Sequence, residues 1–342
     1  MTPEPLRIAL IGAGRIGQVH AASIARSPRA TLQVVCDVFE QSAQDLAARH
    51  GARASSEPEA SIEAADVDAV IVASSTPTHV DLMRAALRAG KPVLCEKPID
   101  LDITRVEGLR GEAEGAARPV MLGFNRRFDP HFAAVHARVA AGEIGRLEQL
   151  TITSRDPAPA PRGYLAASGG IFRDMTIHDL DMARFFVPDI VEVSATGYRH
   201  FSSEIAELDD FDAAVVTLTG AGGESIVITN SRHSAYGYDQ RLEAFGPDGR
   251  LAVDNLSDTV VRAWTATSTA AGEPHQQFFL ERYAEAYYRE LEAFVSAAVA
   301  DGAGVAGATG VPGFADGRSA LILADACEES ARKRHAVPVD LR

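Results

Sequence analysis

The chain has 342 residues, 46% of them hydrophobic and 23% charged, with a formal net charge of -14. That length exceeds one ordinary compact core and predicts two domains. Near-average composition excludes wholesale disorder and fibrous repeats, and the acidic balance argues against nucleic acid or an anionic membrane as the main partner, because both require a basic face. Cys36, Cys95 and Cys327 have neither CxxC nor metal-type spacing, which fits a reducing compartment. The N-terminal MTPEPLRIALIG lacks the basic start and apolar stretch of a signal peptide, and no uncharged run is long enough for a bilayer span, so the chain reads as cytoplasmic.

In chain order, the apolar run Leu6 to Ile11 ends in glycine and is followed by helical spacing over Ile16 to Arg26, which predicts strand, tight turn and helix. Leu32 to Cys36 reads as a strand, Ser42 to His50 as a helix, Asp68 to Ala73 as a buried parallel strand and Val80 to Ala89 as an amphipathic helix ended by Gly90. Val93 to Cys95, a helix near Thr104 to Ala117 and Val120 to Gly123 complete an alternation that predicts a doubly wound parallel sheet. After Gly145 the pattern changes. Leu147 to Ser154, Val191 to Tyr198, Ala213 to Leu218, Ser225 to Asn230 and Arg241 to Phe245 alternate as strands of an antiparallel sheet, with a turn at Gly246-Pro247-Asp248-Gly249. Phe278 to Ala300 reads as one long helix, 302–313 as a Gly/Ala-rich surface loop and Ala315 to Arg334 as the last helix. The fold expected is therefore α/β, with a Rossmann domain over residues 1–124 and an α+β domain over 125–342 built on a large open, mainly antiparallel sheet. The last helix is a candidate to pack back on the Rossmann domain.

Gly12-Ala13-Gly14-Arg15-Ile16-Gly17 fits GxGxxG between a strand and a helix. Gly12 permits the tight turn, Gly14 lets backbone approach a pyrophosphate, and Gly17 permits close packing of helix on strand, while the helix N-terminus stabilises phosphate charge. Asp37, about twenty residues on at the end of the second strand, can accept hydrogen bonds from ribose hydroxyls and would repel the extra phosphate of NADP. NAD is the cofactor expected, although Arg15 could in principle attract a phosphate.

Cys95-Glu96-Lys97-Pro98 closes the strand that begins at Val93, where a parallel sheet presents ligand-contacting residues. Asp174 and His178 are four residues apart, on one face if that stretch is helical. A lysine, a carboxylate and an imidazole can then converge. At these residues, and at Ser74 to His79 (SSTPTH), the sequence resembles the glucose-fructose oxidoreductase and inositol dehydrogenase family (Gfo/Idh/MocA), over nearly the whole chain. Gly123 to Asp129 (GFNRRFD), Asp179-Leu180-Asp181 and Tyr236-Gly237-Tyr238-Asp239 look most like its inositol dehydrogenase branch.

The resemblance implies that Lys97, Asp174 and His178 form the catalytic triad and that the protein is a homotetramer. Oxidising a secondary alcohol needs a base for the hydroxyl proton, and histidine has the ordinary pKa nearest working pH, so His178 is the proton acceptor. Lys97 stabilises developing alkoxide charge and disfavours the imidazolium, and Asp174 orients the substrate hydroxyl or the histidine. Ser74, Thr76, His79, Glu96 and Lys97 are expected beside the cofactor with Gly12, Gly14, Arg15, Ile16, Gly17 and Asp37. Arg126, Arg127, Asp156 and Tyr236, with Arg155, Tyr164 and Tyr238 as weaker candidates, are expected to help line a polyol pocket, since each buried hydroxyl needs a partner. Arg127 pairs more readily with a carboxylate such as Asp129, and Tyr236 and Tyr238 could equally be packing rings.

Asp174, His178, Asp179 and Asp181 are chemically able to bind a metal, but hydride transfer to NAD needs none and no metal is expected. The activity expected is NAD-dependent oxidation of a cyclic polyol, most directly myo-inositol to its 2-keto inosose. The alternatives are the same chemistry on scyllo-inositol or an aldose, an NAD-dependent glycosidase, and a non-catalytic NAD-sensing regulator.

Overall fold

A computed structural model describes residues 4–300 and 311–342. Two compact units emerge: Met1–Asp129 with Ala284–Ser319, and Pro130–Tyr283 with Ala320–Arg342.

The first unit alternates β1 (Leu6–Ile11), α1 (Arg15–Arg26), β2 (Ala30–Cys36), α2 (Glu40–His50), β3 (Arg53–Ser55), α3 (Pro58–Glu63), β4 (Ala69–Val72), α4 (His79–Arg88), β5 (Val93–Cys95), α5 (Ile103–Glu114) and β6 (Val120–Leu122). Its six strands are all parallel, in the order β3-β2-β1-β4-β5-β6. This is the doubly wound order, in which strand order reverses between β1 and β4 and ligands bind beyond the strands' carboxyl ends at that point. β4 is buried at every residue and β1 at all but Arg7, as expected for strands covered on both faces. Gly17, His20, Ala21 and Ile24 form one buried stripe along α1, the period that seats a helix on a sheet.

The second unit contains α6 (Pro130–Ala140), β7 (Gln149–Arg155), α7 (Arg162–Ala167), α8 (Ile177–Phe186), β8 (Ile190–Tyr198), α9 (Ser203–Glu207), β9 (Ala213–Gly220), β10 (Ser225–Ser231), β11 (Asp239–Gly246), β12 (Gly249–Val253) and α10 (Phe279–Arg282). Its large sheet runs β12-β11-β7-β10-β9-β8, with Val337–Pro338 added beside β8. The pairings are antiparallel except for β7 with β10, which lie parallel at the centre because three helices and two strands separate them in the chain. Leu150, Ile152, Val216, Leu218, Ile226 and Ile228 point to the buried face, so period-two alternation defines the strands as expected. The hairpin β11–β12 closes with Gly246 opposite Gly249.

The expected single helix over Phe278 to Ala300 is instead two. α10 stops at Tyr283, and α11 (Ala284–Val299) follows in the first unit. Tyr283 is held elsewhere, with its ring edge-on to Tyr238 and its hydroxyl donating to Gln240 Oε1 at 3.0 Å. Beyond that break α11 packs on α1 and places Leu291, Phe294, Val295 and Ala298 in the core that holds Ile8, Leu10 and Ile24. α12 (Phe314–Lys333) follows, and the Gly/Ala-rich stretch expected before it lies largely outside the described residues. Since Phe294 is fully buried there, Phe294→Ala should cost about 3–5 kcal/mol in urea unfolding. A loss within the noise of a surface mutation would show that α11 does not belong to the core of the first unit.

Candidate active site

The glycine loop joins β1 to α1 under tight steric limits. Gly12 has φ +108°, a region L side chains rarely adopt, and a β-carbon there would lie 2.5 Å from the Ala73 backbone at the end of β4. A β-carbon on Gly17 would lie 2.0 Å from the Gly12 carbonyl oxygen, so helix and strand could not close up. At Gly14 a β-carbon would meet no protein atom within 4 Å. Packing therefore does not require glycine at 14, and a pyrophosphate seated on the backbone would. Asp37 accepts from the Ala13 amide at 2.7 Å and the Phe39 amide at 2.9 Å, through different oxygens. Each oxygen keeps acceptor capacity for a ribose hydroxyl, and the charge sits where the 2′-phosphate of NADP would be. Arg15 is exposed and Ile16 half-buried at the start of α1.

After β4, Ser74 and Thr78 share a hydroxyl hydrogen bond of 2.7 Å, and Thr76 begins the short 3-10 turn that leads into α4. His79 is buried between two carbonyls, with Nδ1 2.8 Å from Pro98 O and Nε2 3.1 Å from Ser74 O. Burial lowers its pKa, so the ring is neutral near pH 7 and has one N–H to give. The ring lies between the loop after β4 and the turn after β5, and that N–H donates to one of the two carbonyls, so its place is not that of a helix cap. Glu96 is buried and hydrogen-bonded to His20, while Lys97 next to it is half-buried and its peptide with Pro98 is cis.

In the second unit Asp174 and His178 do lie on helix, but of two kinds. Phe172–Thr176 is a π turn that runs directly into α8. Such turns gather at functional sites, and the sequence carries no reliable mark of one. Asp174 Oδ1 accepts from the Tyr164 hydroxyl at 2.8 Å and Oδ2 from Arg232 Nη1 at 3.1 Å. Arg232, fully buried, also reaches Asp210 at 3.4 Å, and Asp210 in turn accepts from the Ile171 amide at 3.0 Å. Arg232 and Asp210 thus organise Asp174. Neither was expected, because a buried arginine at the end of β10 has no local signature.

The remaining expected residues fall into separate places. Arg126 and Arg127 are buried in the first unit, and Arg127 donates to Asp316 on α12 at 3.0 Å. Tyr238 packs in an aromatic cluster with Phe278 and Tyr283. Tyr236 is 45% exposed, and its hydroxyl donates to the buried Asp239 at 2.6 Å and accepts from Arg155 at 2.5 Å. Burial alone would raise the Asp239 carboxyl, but hydrogen bonds from Arg241, Tyr236 and Asn255 hold it below its ordinary value. Asp156 follows β7, half-buried.

The carboxylate of Asp179 faces the large sheet, accepting from Ser154 Oγ at 2.7 Å and from Asn230 Nδ2 at 2.8 Å. Among the described residues, the His, Cys, Asp and Glu group whose ligand-type atoms gather within 4.8 Å is His20, Glu96 and Glu290.

A doubly wound sheet with this loop and a carboxylate after β2 defines a nicotinamide-dinucleotide-linked oxidoreductase. Residues 6–124 match the oxidoreductase family described as GFO_IDH_MocA, NAD-binding Rossmann fold, and residues 132–252 match the GFO/IDH/MocA C-terminal domain. The inositol 2-dehydrogenase of Rhizobium meliloti (strain 1021) is 42% identical over 98% of this chain and 99% of its own length. The crystal structure of a myo-inositol dehydrogenase from Corynebacterium glutamicum ATCC 13032 has a TM-score of 0.92 and 55% identity, covering 98% of this chain and 99% of that one. A scyllo-inositol dehydrogenase from Lactobacillus casei, crystallised with NAD(H) and scyllo-inositol, has a TM-score of 0.86 and 27% identity over 98% of this chain and 99% of that one. The chain belongs to the Gfo/Idh/MocA oxidoreductase family, and its first domain is that family's NAD-binding Rossmann fold.

Asp37→Ala should weaken NAD binding and raise the NADP-to-NAD ratio of kcat/KM by about tenfold or more, as removal of a repelling carboxylate predicts. Steady-state kinetics with both cofactors checks this, and an unchanged ratio would remove Asp37 from cofactor selection.

Proposed function

We propose that the protein oxidises myo-inositol at a secondary alcohol, giving the 2-keto inosose with NAD as hydride acceptor. The observation that carries this reading is the likeness, over nearly the full chain, to proteins named inositol 2-dehydrogenase and myo-inositol dehydrogenase. NAD, when bound, supplies the carbon that accepts hydride.

We assign the catalytic roles to Lys97, Asp174 and His178. His178 removes the hydroxyl proton. Lys97 stabilises negative charge on the reacting oxygen as the proton departs. Asp174, which accepts from Tyr164 on one oxygen and from Arg232 on the other, orients the substrate hydroxyl or the imidazole. Tyr164, 44% exposed with its hydroxyl on Asp174, extends the polar surface offered to a polyol. Hydroxyl epimers differ only in where donors and acceptors must sit. The Lactobacillus casei protein with bound scyllo-inositol supports scyllo-inositol as the second reading.

We further read the protein as a cytoplasmic homotetramer. The outer face of the large sheet supports assembly, since Val215 and Phe245 are exposed there amid threonines such as Thr151 and Thr217. Light scattering on the purified protein should give four chains per particle, and a monomer would overturn that reading.

Incubation with NAD and a panel of inositols and aldoses should yield NADH with myo-inositol at the highest kcat/KM. No NADH with any inositol would sink the proposal, and sugar release without net NADH would mark a glycosidase. Lys97→Ala and His178→Ala should each lower kcat by about a hundredfold or more while leaving the NAD dissociation constant within about threefold. Retained turnover in both would refute the assigned roles.

A further inference from the structure

Inside the first unit, three ionisable side chains meet that the reaction does not use directly. His20 comes from the buried stripe of α1, Glu96 from the end of β5 and Glu290 from α11, with relative exposures of 0%, 8% and 0%. One ligand-type atom from each lies within 4.8 Å of the others. His20 Nε2 and Glu96 Oε1 are 2.7 Å apart, and the Tyr287 ring stands edge-on to His20. Neither oxygen of Glu290 has a hydrogen-bond partner among the described residues, nor has His20 Nδ1.

One imidazole cannot balance two buried carboxylates, and an unpaired buried charge is resolved by taking up a proton. Burial first, and the nearby charge of Glu96 second, push the Glu290 carboxyl well above its ordinary value. Glu96 already faces the His20 ring, which leaves Glu290 as the carboxyl without a partner among the described residues. A metal ion fits the same atoms less well: ligands on a tetrahedral zinc stand about 3.3 Å apart at bond lengths of about 2.0–2.1 Å, and the 2.7 Å contact is a hydrogen bond.

We propose that Glu290 is a neutral carboxylic acid that completes a buried proton-sharing group with Glu96 and His20, and that this group positions the Glu96-Lys97-Pro98 turn. Glu290 is thereby a positioning residue for Lys97, a statement that rests on the role given to Lys97 above. His20 presents its ring to one oxygen of Glu96, and Glu290 brings a carboxyl oxygen from α11 to within 4.8 Å of a ligand-type atom of each. On a further side Glu96 is confined by Gly123, where a β-carbon would lie 2.9 Å from Glu96 Oε2 and 3.2 Å from its Cα. With its head group confined in this way, Glu96 has little freedom to let the next residue drift. The same contact explains why the chain after β6 needs glycine at 123.

Carboxyl NMR of the wild-type protein labelled with 13C-glutamate tests the protonation directly. One glutamate resonance should keep the protonated shift well above the pH range of ordinary glutamate titration, and it should vanish in Glu290→Gln. Gln keeps a neutral donor of the same shape, so kcat should stay within about threefold, whereas Glu290→Leu should lower kcat about tenfold to a hundredfold with the NAD dissociation constant unchanged. If either variant fails to fold, the wild-type resonance still decides the protonation state. Absence of a protonated glutamate, Gln as damaging as Leu, or stoichiometric metal in the purified protein would each overturn the proposal. Full turnover in Lys97→Ala would instead fail the assignment of Lys97 and leave the Glu290 resonance in place.

Discussion

The carbonyl of Gly12 and the backbone of Gly17 approach so closely that no side chain fits between them, and much of the first unit follows from that contact. It brings the N-terminus of α1 to the carboxyl end of β1, where unpaired amides and the helix dipole favour an anion. It also sets the rotation of α1, so that Ile24 and Ala21 enter the core and His20 turns inward toward the end of β5. Asp37 then reaches back to the Ala13 amide, tying the end of β2 to the same loop. Cofactor recognition and the placement of Glu96 therefore share one steric origin.

In the second unit the organising interactions are charged and buried. Asp179 links α8 to Ser154 on β7 and Asn230 on β10, and Ser154 continues through Gln240 to Tyr283. Arg232 joins Asp174 and Asp210 from the end of β10. Such networks add little net stability against apolar alternatives, but breaking one partner leaves a buried charge exposed to a low dielectric, so their geometry is strongly enforced. That enforcement suits a carboxylate whose task is orientation.

Several of these features are legible in the residues alone. Alternation of period two marked the strands of the large sheet, alternation of strand and helix marked the Rossmann unit, and glycines at 12, 14 and 17 marked the loop. These signals are local: each depends on neighbours a few positions away, and backbone geometry reads them directly. The single helix expected over 278–300 failed because apolar periodicity ran on through Tyr283, and nothing nearby in sequence announces that its hydroxyl belongs to Gln240. Arg232 and Asp210 were missed for the same reason, their partners lying 58 and 39 residues away.

By itself, then, the sequence determined the doubly wound order of elements, the dinucleotide loop with its carboxylate at Asp37, and the residue types available for alcohol oxidation. Only the tertiary structure decided that α11 returns to the first core, that a π turn carries Asp174, and that His20, Glu96 and Glu290 share one buried space. The division has a physical cause. Hydrogen-bonded periodicity and steric freedom at glycine are properties of short segments, whereas burial, and with it the charge state of a carboxyl group such as Glu290, depends on which distant segments exclude water together.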